Sequence, residues 1–553
     1  RRRLRRRGEG RLRGAAVSPA GRLDPAGALR CPVGEPWQPP SGFAEICQQV
    51  LAAQLDAATL ALAPSCVAAI TWRGRVVAVH TSGQPRMDGA PAGPGTVYRI
   101  ASMSKSFLAA AALSLREDDV LNLDRPAREL IGGLESARFG AGGAGSVPLD
   151  ATLDELLSNR SGIAEDNPWG DEHLAEPRQW MADRVAEGLR LSAFPGTVYQ
   201  YSNLGVSQTG RAIEAVTGIP VEQAVRERIL DPLGLSATRA DPSMYPDGTD
   251  LARGFRTFDD GSHFRPEPFV GSGALGCIGE LFSTVGDVAS WMHFLGSAFD
   301  EIPDPGLETV LSASSRRRMQ TGHTLMRTTE WPFAGRRLDG AGYGYGLICE
   351  LDHRFGRVAQ HSGGLPGFSS HMRWHPTTGI GVVVMANSNS FGAWRPASAI
   401  LSTVLDAVEA PSARVRVWPE ALEAAFRMER TLVSGGSLED LLEPVPDTGL
   451  LSRNVLRDVP WAVRSQRLAA LTDQAGPVQE NLPPLAERIL TAPTPAALRW
   501  AVPCQRATLV CDLRMVGLHH PVVQAIDTQL AGPDGRKPAG EQSLAQDHIQ
   551  VLI

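Results

Sequence analysis

The sequence predicts an α+β fold in which one antiparallel sheet is assembled from both ends of a long region. Strand-like segments occur at residues 67–81 and again between Gly342 and Asn389, and a mixed, mainly helical stretch from about residue 120 to 300 separates them. Early and late strands around a helical middle indicate a sheet with helices packed on it. With 553 residues and 43% hydrophobic content, the chain suits one large and one smaller globular domain.

Composition divides the chain into three predicted parts. Residues 1–40 are rich in Arg, Gly and Pro and lack hydrophobic periodicity, which predicts a disordered tail. Residues 41–411 form the predicted main domain. Beyond Pro411, residues 412–553 are predicted to be a smaller accessory domain of mixed helix and strand. There the segment ATLVCDLRM favours a half-buried strand, because apolar and mostly polar residues alternate along it.

The first elements of the main domain follow from local patterns. Apolar residues near helical spacing predict an amphipathic helix from Ser41 to Leu62. The segments VAAITW and RVVAVHT, joined at Arg73 and Gly74, then predict a β-hairpin. The next segment, SMSKSFLAAAALSL, is dense in Ala and Leu and predicts a buried helix.

The late strands of the main domain are predicted from four segments: YGYGLICELD, RVAQHSG, SSHMRWHP and IGVVVMAN. A TTG turn between the last two predicts an antiparallel hairpin. The segment ASAILSTVLDAV then predicts a closing helix. These elements complete the predicted α+β arrangement.

The charge distribution argues against nucleic-acid partners, and the short apolar runs argue against a membrane span. The formal net charge is −6, yet the first 13 residues carry eight Arg and one Glu, so the remaining chain has a charge of about −13. An acidic body does not suit phosphate backbones. The longest apolar run, Phe107 to Leu115, is far shorter than the ~18 residues of a membrane span. No apolar stretch typical of a signal peptide follows the basic start, which predicts a cytoplasmic protein unless the true N-terminus is missing.

Metal and cofactor sites are not expected. The seven cysteines are odd in number, scattered and without CxxC spacing, which disfavours a disulfide framework or a zinc site. His371 and His375 have HxxxH spacing in a strand-like segment, but the glutamate of a zinc protease motif is absent. We therefore interpret both as hydrogen-bonded structural residues.

The segment Ser102-Met-Ser-Lys105 provides the first candidate catalytic pair. Side chains three positions apart on a helix share one face and approach each other. Serine needs a base to become nucleophilic, and a lysine whose burial lowers its pKa can be that base, whereas arginine does not deprotonate in proteins. Of 54 basic residues only Lys105 and Lys537 are lysine, so a chain that otherwise uses arginine retains lysine where this chemistry needs it. The predicted helix N-terminus at Ser102 would also stabilise an oxyanion.

Two further segments, Tyr201-Ser202-Asn203 and His361-Ser362-Gly363, follow in the order SxxK, YxN and K/H-x-G. With YRIASMSK, LLSNRSGI, PGTVYQYSNLG and HSGGLPGFSS around them, they resemble the serine β-lactamase and penicillin-binding-protein superfamily over residues 42 to 408. The similarity is to class C β-lactamases, D-aminopeptidases, DD-carboxypeptidases and β-lactamase-like esterases. It implies a β-lactamase/transpeptidase-like antiparallel sheet flanked by helices, with an all-helical subdomain. The predicted smaller C-terminal accessory domain lies outside the residues that carry the resemblance.

The resemblance also implies roles for the site residues. Ser102 would be acylated while Lys105 and Tyr201 exchange its proton and later activate water, with either of the two as the principal base. Asn203 would hydrogen-bond Lys105 and the substrate.

On the opposite wall of the site, the resemblance places the strand that carries the third motif. His361 and Gly363 would line this wall, and the backbone N–H groups of Ser102 and Gly364 would form the oxyanion hole. A two-step acyl-enzyme mechanism follows.

The third motif differs from that of most β-lactamases, which carry KTG where this chain has HSG. Lysine would offer a substrate carboxylate a permanent cation, whereas histidine is mostly uncharged near neutral pH. We therefore predict a serine hydrolase acting on a small ester, amide or peptide, as an esterase or D-aminopeptidase. The alternatives are a β-lactamase or DD-carboxypeptidase, and a non-catalytic binding protein with the same fold.

Overall fold

The computed structural model describes residues 36–134, 149–328, 336–434, 450–531 and 549–552, together with the short strand at 137–139. The chain divides into two compact units between Arg414 and Val415. No helix within these ranges combines the length and the apolar character that crossing a bilayer requires.

The larger unit contains one eight-stranded sheet. Its strands are β1 Ser65–Trp72, β2 Arg75–Gly83, β3 Thr324–Leu325, β4 Leu338–Tyr343, β5 Ile348–Asp352, β6 Gly356–Leu365, β7 Phe368–His375 and β8 Ile380–Ala386. The strand order is β2-β1-β8-β7-β6-β5-β4-β3, and every neighbouring pair is antiparallel. Because β1 pairs with β8, the sheet joins the two ends of the unit, which confirms the predicted α+β class.

Helices cover both faces of this sheet. The helices in the described residues of the larger unit are α1 Phe43–Gln54, α2 Ala57–Leu60, α3 Ser104–Glu117, α4 Leu153–Leu157, α5 Asn167–Glu172, α6 Arg178–Ala186, α7 Asn203–Thr217, α8 Val221–Val225, α9 Val285–Gly296, α10 Pro305–Glu308, α11 Ala313–Met319 and α12 Trp394–Ala407. Alternation along β1 shows why both faces are covered: Val67 and Ala69 enter the core that contains α3 and α9, whereas Ala68 and Ile70 enter the core that contains α1 and α12.

Three short strand pairs complete the larger unit. Tyr98–Arg99 pairs with Phe282–Ser283, and Phe255–Arg256 pairs with Arg265–Pro266, both antiparallel. Ala137–Phe139 pairs in parallel with Leu189–Leu191. The first of these pairs leads directly into the segment that contains Ser102.

Two predicted elements are interrupted in the structure. The helix expected from Ser41 to Leu62 is two helices, because the side chain of Asp56 caps a new one by accepting a hydrogen bond from the N–H of Thr59 at 2.8 Å. The strand expected at YGYGLICELD is a hairpin: Gly344 N–H bonds to Leu347 O at 2.8 Å between β4 and β5. The hairpins at Arg73-Gly74 and TTG, and the helices α3 and α12, are present as predicted.

The smaller unit has a separate core. Its helices are α13 Pro419–Ser434, α14 Arg453–Asp458 and α15 Trp461–Ala475, and its four-stranded antiparallel sheet has the order β9 Ile489–Thr494, β10 Ala497–Pro503, β11 Thr508–Val516 and β12 Val522–Leu530. Two further strands are Ala413–Arg416 and Ile549–Leu552. The half-buried strand predicted at ATLVCDLRM is β11, and Leu509, Cys511, Leu513 and Met515 are all buried along it.

Candidate active site

Ser102 and Lys105 lie at the start of α3, in the core of the larger unit. A 3₁₀ turn over Ala101–Met103 leads into the helix. The Lys105 Nζ donates to Ser102 Oγ at 2.9 Å and to the carbonyl of Ile278 at 3.1 Å. Ser102 retains 5% exposure and Lys105 none. The predicted contact between hydroxyl and amine is therefore present, in a place that excludes most water.

The backbone before the serine is strained. Ala101 has a φ of +48°, a left-handed conformation that residues with a Cβ seldom adopt. Such outliers persist only where the surrounding structure holds them, and they concentrate at functional sites. Here the turn directs Ser102 toward Lys105.

The protonation of Lys105 is set by two opposing effects. Burial lowers the pKa of its amine well below the usual lysine value, because a charged ammonium is poorly solvated there. The carboxylates of Asp171 and Asp166 act in the opposite direction and raise that pKa. Burial is the larger effect, so the neutral amine that a general base requires is accessible nearer to neutral pH.

Tyr201 lies beside this pair. Its ring centroid is 4.9 Å from the Lys105 Nζ. Burial raises the pKa of the Tyr201 hydroxyl well above 10, so the phenol is protonated at neutral pH. Tyr201 is thus placed to donate a proton, while Lys105 is the better acceptor of the two.

The segment that carries Tyr201 is held by two polar side chains. The Oδ1 of Asn159 accepts the N–H of Ser202 at 3.0 Å. The carboxylate of Asp166 accepts the N–H of Asn203 at 2.6 Å and that of Leu204 at 2.8 Å, which satisfies donors at the start of α7.

Asn203 is fully buried, but its contacts differ from the expected ones. Its Nδ2 donates to the backbone and side-chain oxygens of Asn167 at 3.2 Å each and reaches Asp171 Oδ1 at 3.5 Å. Among the residues that the structure describes, its Oδ1 has no hydrogen-bond partner, so the expected bond to Lys105 is absent.

His361 lies on β6, and its ring centroid is 6.2 Å from that of Tyr201. Its Nδ1 is 2.6 Å from the carbonyl of Ser362, so this nitrogen carries the proton and Nε2 accepts from the Tyr343 hydroxyl at 3.0 Å. Burial, followed by the nearby charge of Lys105, lowers the pKa of His361 to about 3. The imidazole is therefore neutral at physiological pH.

The two glycines after His361 have different surroundings. A Cβ on Gly363 would lie 2.1 Å from the carbonyl of Ile100 and 2.2 Å from Ser370 Oγ, so only glycine allows β6 to approach the turn before Ser102. Gly364 is exposed, and a Cβ there would meet nothing within 4 Å. The exposed backbone of Gly364 lies on the strand that faces the serine turn.

The structure adds residues that sequence reasoning did not single out. Tyr343 contacts His361, and its ring packs edge-on against Tyr201 with centroids 6.2 Å apart. Asp166 and Asp171 act electrostatically on Lys105. Their signal in the sequence was weak. A tyrosine between two glycines has many structural uses, and so have the acidic residues of the segment DNPWGDE.

The side chains that could bind a metal ion do not cluster in the part of the chain that the structure describes. In the described ranges no three His, Cys, Asp or Glu side chains are grouped as a metal site would require. His375 is bonded to Phe355 O at 2.8 Å and Thr378 Oγ1 at 3.0 Å, and the Nδ1 of His371 contacts Ser362 Oγ at 2.8 Å. These contacts agree with the structural interpretation of both histidines.

Sequence comparisons show the family to which the chain belongs. Residues 54–401 match the model of the family described as Beta-lactamase. The unguisins hydrolase ungD of Aspergillus violaceofuscus is 29% identical over 310 residues, a match that covers 53% of this chain and 53% of that protein. The chain thus spans about half the length of this relative. The D-aminopeptidase of Gluconobacter oxydans is 27% identical over 413 residues, 71% of this chain and 69% of that protein.

A solved structure supports the fold. The octameric penicillin-binding protein homologue from Pyrococcus abyssi superposes with a TM-score of 0.52 at 18% sequence identity, covering 86% of this chain and 99% of that one. The family match extends over more than half of the chain and includes Ser102, Lys105, Tyr201 and His361. This chain belongs to the Beta-lactamase family, as its motifs predicted.

Proposed function

We propose that this chain is a serine hydrolase that forms an acyl-enzyme on Ser102 with small ester or amide substrates, as an esterase or a D-aminopeptidase does. The observation that carries the proposal is the 2.9 Å contact between Lys105 Nζ and Ser102 Oγ in a buried site. A buried lysine with a lowered pKa can accept the serine proton, which a solvated lysine at neutral pH cannot.

The proposed reaction has two steps. In acylation, Lys105 takes the proton of Ser102 as Oγ attacks the substrate carbonyl carbon, and the leaving group departs with a proton delivered through Lys105 or Tyr201. The backbone N–H groups of Ser102 and Gly364 hold the developing oxyanion. In deacylation, water attacks the ester carbonyl and gives a proton to the same base. The base returns this proton to Ser102 Oγ as the bond between Oγ and the carbonyl carbon breaks, which releases the acid product.

The neutral state of His361 favours esters and simple amides as substrates over β-lactams and DD-peptides. Its pKa of about 3 leaves it uncharged, and its Nε2 is occupied by the Tyr343 hydroxyl. Without a cation at this position, the wall of the site contributes little energy to the binding of a substrate carboxylate. The name of one relative, a D-aminopeptidase, is consistent with amide substrates.

The test is turnover of p-nitrophenyl acetate by the full chain. We expect Ser102→Ala to lower kcat/KM by about 10³-fold or more, because the nucleophile is lost. A fluorophosphonate probe should add its mass to the peptide that contains Ser102. Equal rates for the two proteins, together with an unlabelled Ser102, would support the binding-protein alternative instead. A stable adduct of Ser102 with a fluorescent penicillin would favour the penicillin-binding alternative.

A further inference from the structure

A cavity of about 360 Å³ lies in the larger unit, outside the candidate active site. Its walls are formed by residues 130–132, by helices α6 and α7, and by Ala274. Ser102, Lys105, Tyr201 and His361 are not among the residues that line it. A cavity of this size is large enough for a small organic molecule.

The floor of the cavity is apolar and its rim is open to water. Ile131, Met181 and Ala274 line the cavity and are buried, whereas Gly132 and Ala215 line it and are exposed. An apolar group that enters from the rim and covers this floor is removed from water, which favours binding. The ligand is therefore expected to have an apolar body.

One cation in the wall has no carboxylate bonded to it. Arg211 on α7 is half-buried, and its Nη1 donates to Gln208 Oε1 at 2.8 Å and its Nη2 to the carbonyl of Gly132 at 3.2 Å. Neither acceptor is charged, and among the described residues Arg211 forms no ion pair. A guanidinium has five N–H donors, so three remain for a ligand in the cavity.

The second arginine in the wall is already balanced by carboxylates. The Nε of Arg178 donates to Glu214 Oε1 at 2.8 Å, and its Nη2 donates to Glu222 Oε2 at 2.7 Å. Glu214 also lines the cavity, and its Oε1 accepts the N–H of Val221 at 3.1 Å. Arg211 is thus the lining arginine whose charge is uncompensated by a bond, and Glu214 limits how much negative charge a ligand can bring.

Burial adds a reason for Arg211 to bind an anion. Burial lowers the pKa of its guanidinium, because the charged form is poorly solvated there, and the nearby Glu214 acts in the opposite direction. The side chain still keeps its charge at neutral pH, since arginine does not deprotonate in proteins. A bound anion would replace part of the solvation that Arg211 loses.

These features select one class of ligand. A carboxylate is planar and accepts two parallel N–H bonds from a guanidinium, and it carries a single negative charge. An ammonium would be repelled by Arg211, and an uncharged molecule would leave its donors unpaired. A doubly charged phosphate would be repelled by Glu214 and would leave the apolar floor uncovered.

We propose that this cavity is a binding site for a monocarboxylate with a short apolar chain, whose carboxylate is bound by Arg211. The chain would lie on the floor formed by Ile131, Met181 and Ala274. This inference goes beyond the proposed function and does not depend on it, because no residue that lines the cavity takes part in the proposed reaction.

The experiment measures binding to the full chain by ligand-observed NMR. Dissociation constants are determined for hexanoate and for 1-hexanol, which has the same alkyl length and no charge. The pH is about 7.5, where a carboxylic acid is fully ionised. We expect hexanoate to bind about 10-fold or more tightly than 1-hexanol, since hydrogen bonds to charged groups contribute at least this much.

The variant Arg211→Gln should reduce this ratio of dissociation constants to about one. The ratio is taken within one protein, so a general effect of the substitution on folding cancels. Arg190→Gln is the matched control: it removes the same charge from an exposed arginine outside the cavity and should leave the ratio unchanged.

A second variant tests the location without changing charge. Ala215→Trp places a large side chain at the exposed rim, and we expect it to weaken the binding of hexanoate about 10-fold or more although Arg211 is intact. Thermal unfolding curves show whether this protein is folded. Binding of hexanoate in the candidate active site instead would be unaffected by this substitution.

Four results would overturn the inference: equal binding of hexanoate and 1-hexanol, a ratio that survives Arg211→Gln, an equal loss of the ratio in Arg190→Gln, or unchanged hexanoate binding in folded Ala215→Trp protein. Failure of the proposed function is separate, because it would appear as an absence of Ser102-dependent ester turnover, which this binding experiment does not use.

Discussion

At the scale of single residues, Lys105 combines burial, contact with Ser102 and a lowered pKa. It is completely buried, it contacts Ser102 Oγ at 2.9 Å, and its burial outweighs two nearby carboxylates. Arginine would keep the charge but not the ability to lose a proton. The choice of lysine in an arginine-rich chain thus has a chemical reason.

This role predicts the effect of Lys105→Arg. We expect kcat/KM for p-nitrophenyl acetate to fall by about 10²- to 10⁴-fold, because the general base is lost. In the wild type, kcat/KM should rise with pH through the lowered pKa of Lys105, that is, below the usual lysine value of about 10.4.

Lys105→Ala checks whether the bulk of arginine alone causes the loss, since it removes the base and adds no volume. Both variants should be inactive, with thermal unfolding curves confirming that the proteins are folded. An active Lys105→Arg protein with an unchanged pH profile would show that Lys105 is not the base.

At the scale of elements, the site depends on how closely strand β6 approaches the turn before α3. Gly363 makes this approach possible, because any Cβ there would collide with the carbonyl of Ile100. The same strand carries His361 two residues before Gly363 and the exposed Gly364 directly after it. The spacing between β6 and Ser102 is therefore set by one glycine.

We expect Gly363→Ala to lower the free energy of unfolding by about 2 kcal/mol or more, because the backbone must shift to relieve the contact. Gly364→Ala adds the same methyl group one residue later, where it meets no atom, and should change stability by no more than about 0.5 kcal/mol. Urea unfolding monitored by tryptophan fluorescence measures both. Equal effects of the two substitutions would refute the close approach.

At the scale of the whole molecule, the large sheet carries buried histidines that protonate poorly. His361, His371 and His375 are on neighbouring strands β6 and β7, and burial lowers the pKa of each, to about 4 for His375. The unfolded chain binds protons at these histidines near pH 6.5, before the folded chain does. The contribution of these histidines to the free energy of unfolding then falls as the pH decreases below about 6.5.

For His375 alone this contribution is of the order of 1 to 3 kcal/mol between pH 7 and pH 4. We expect His375→Gln to lose less stability over this interval than the wild type, although it starts from a lower value at pH 7. Urea midpoints at several pH values measure the difference. A slope in His375→Gln that is parallel to the slope of the wild type would contradict the prediction.

Much of this protein could be predicted from local sequence. The hairpin β1–β2, helix α3 and strand β11 depend on residues close together in the chain, and so does the contact of Ser102 with Lys105, three positions apart on one helical face. The prediction of one continuous helix over Ser41 to Leu62 was wrong at Asp56, because the side chain of this residue caps a new helix and competes with continuation of the first.

The rest of the site was decided by tertiary structure. The hydrogen bond from Tyr343 to His361, the packing of α5 on Asn203 and the position of Asp171 near Lys105 join segments distant in sequence, and periodicity contains no information about such contacts. The neutral state of His361 is also a tertiary effect, because burial sets its pKa. Local sequence therefore determined the contact between Ser102 and Lys105, while the fold determined the charges around this pair.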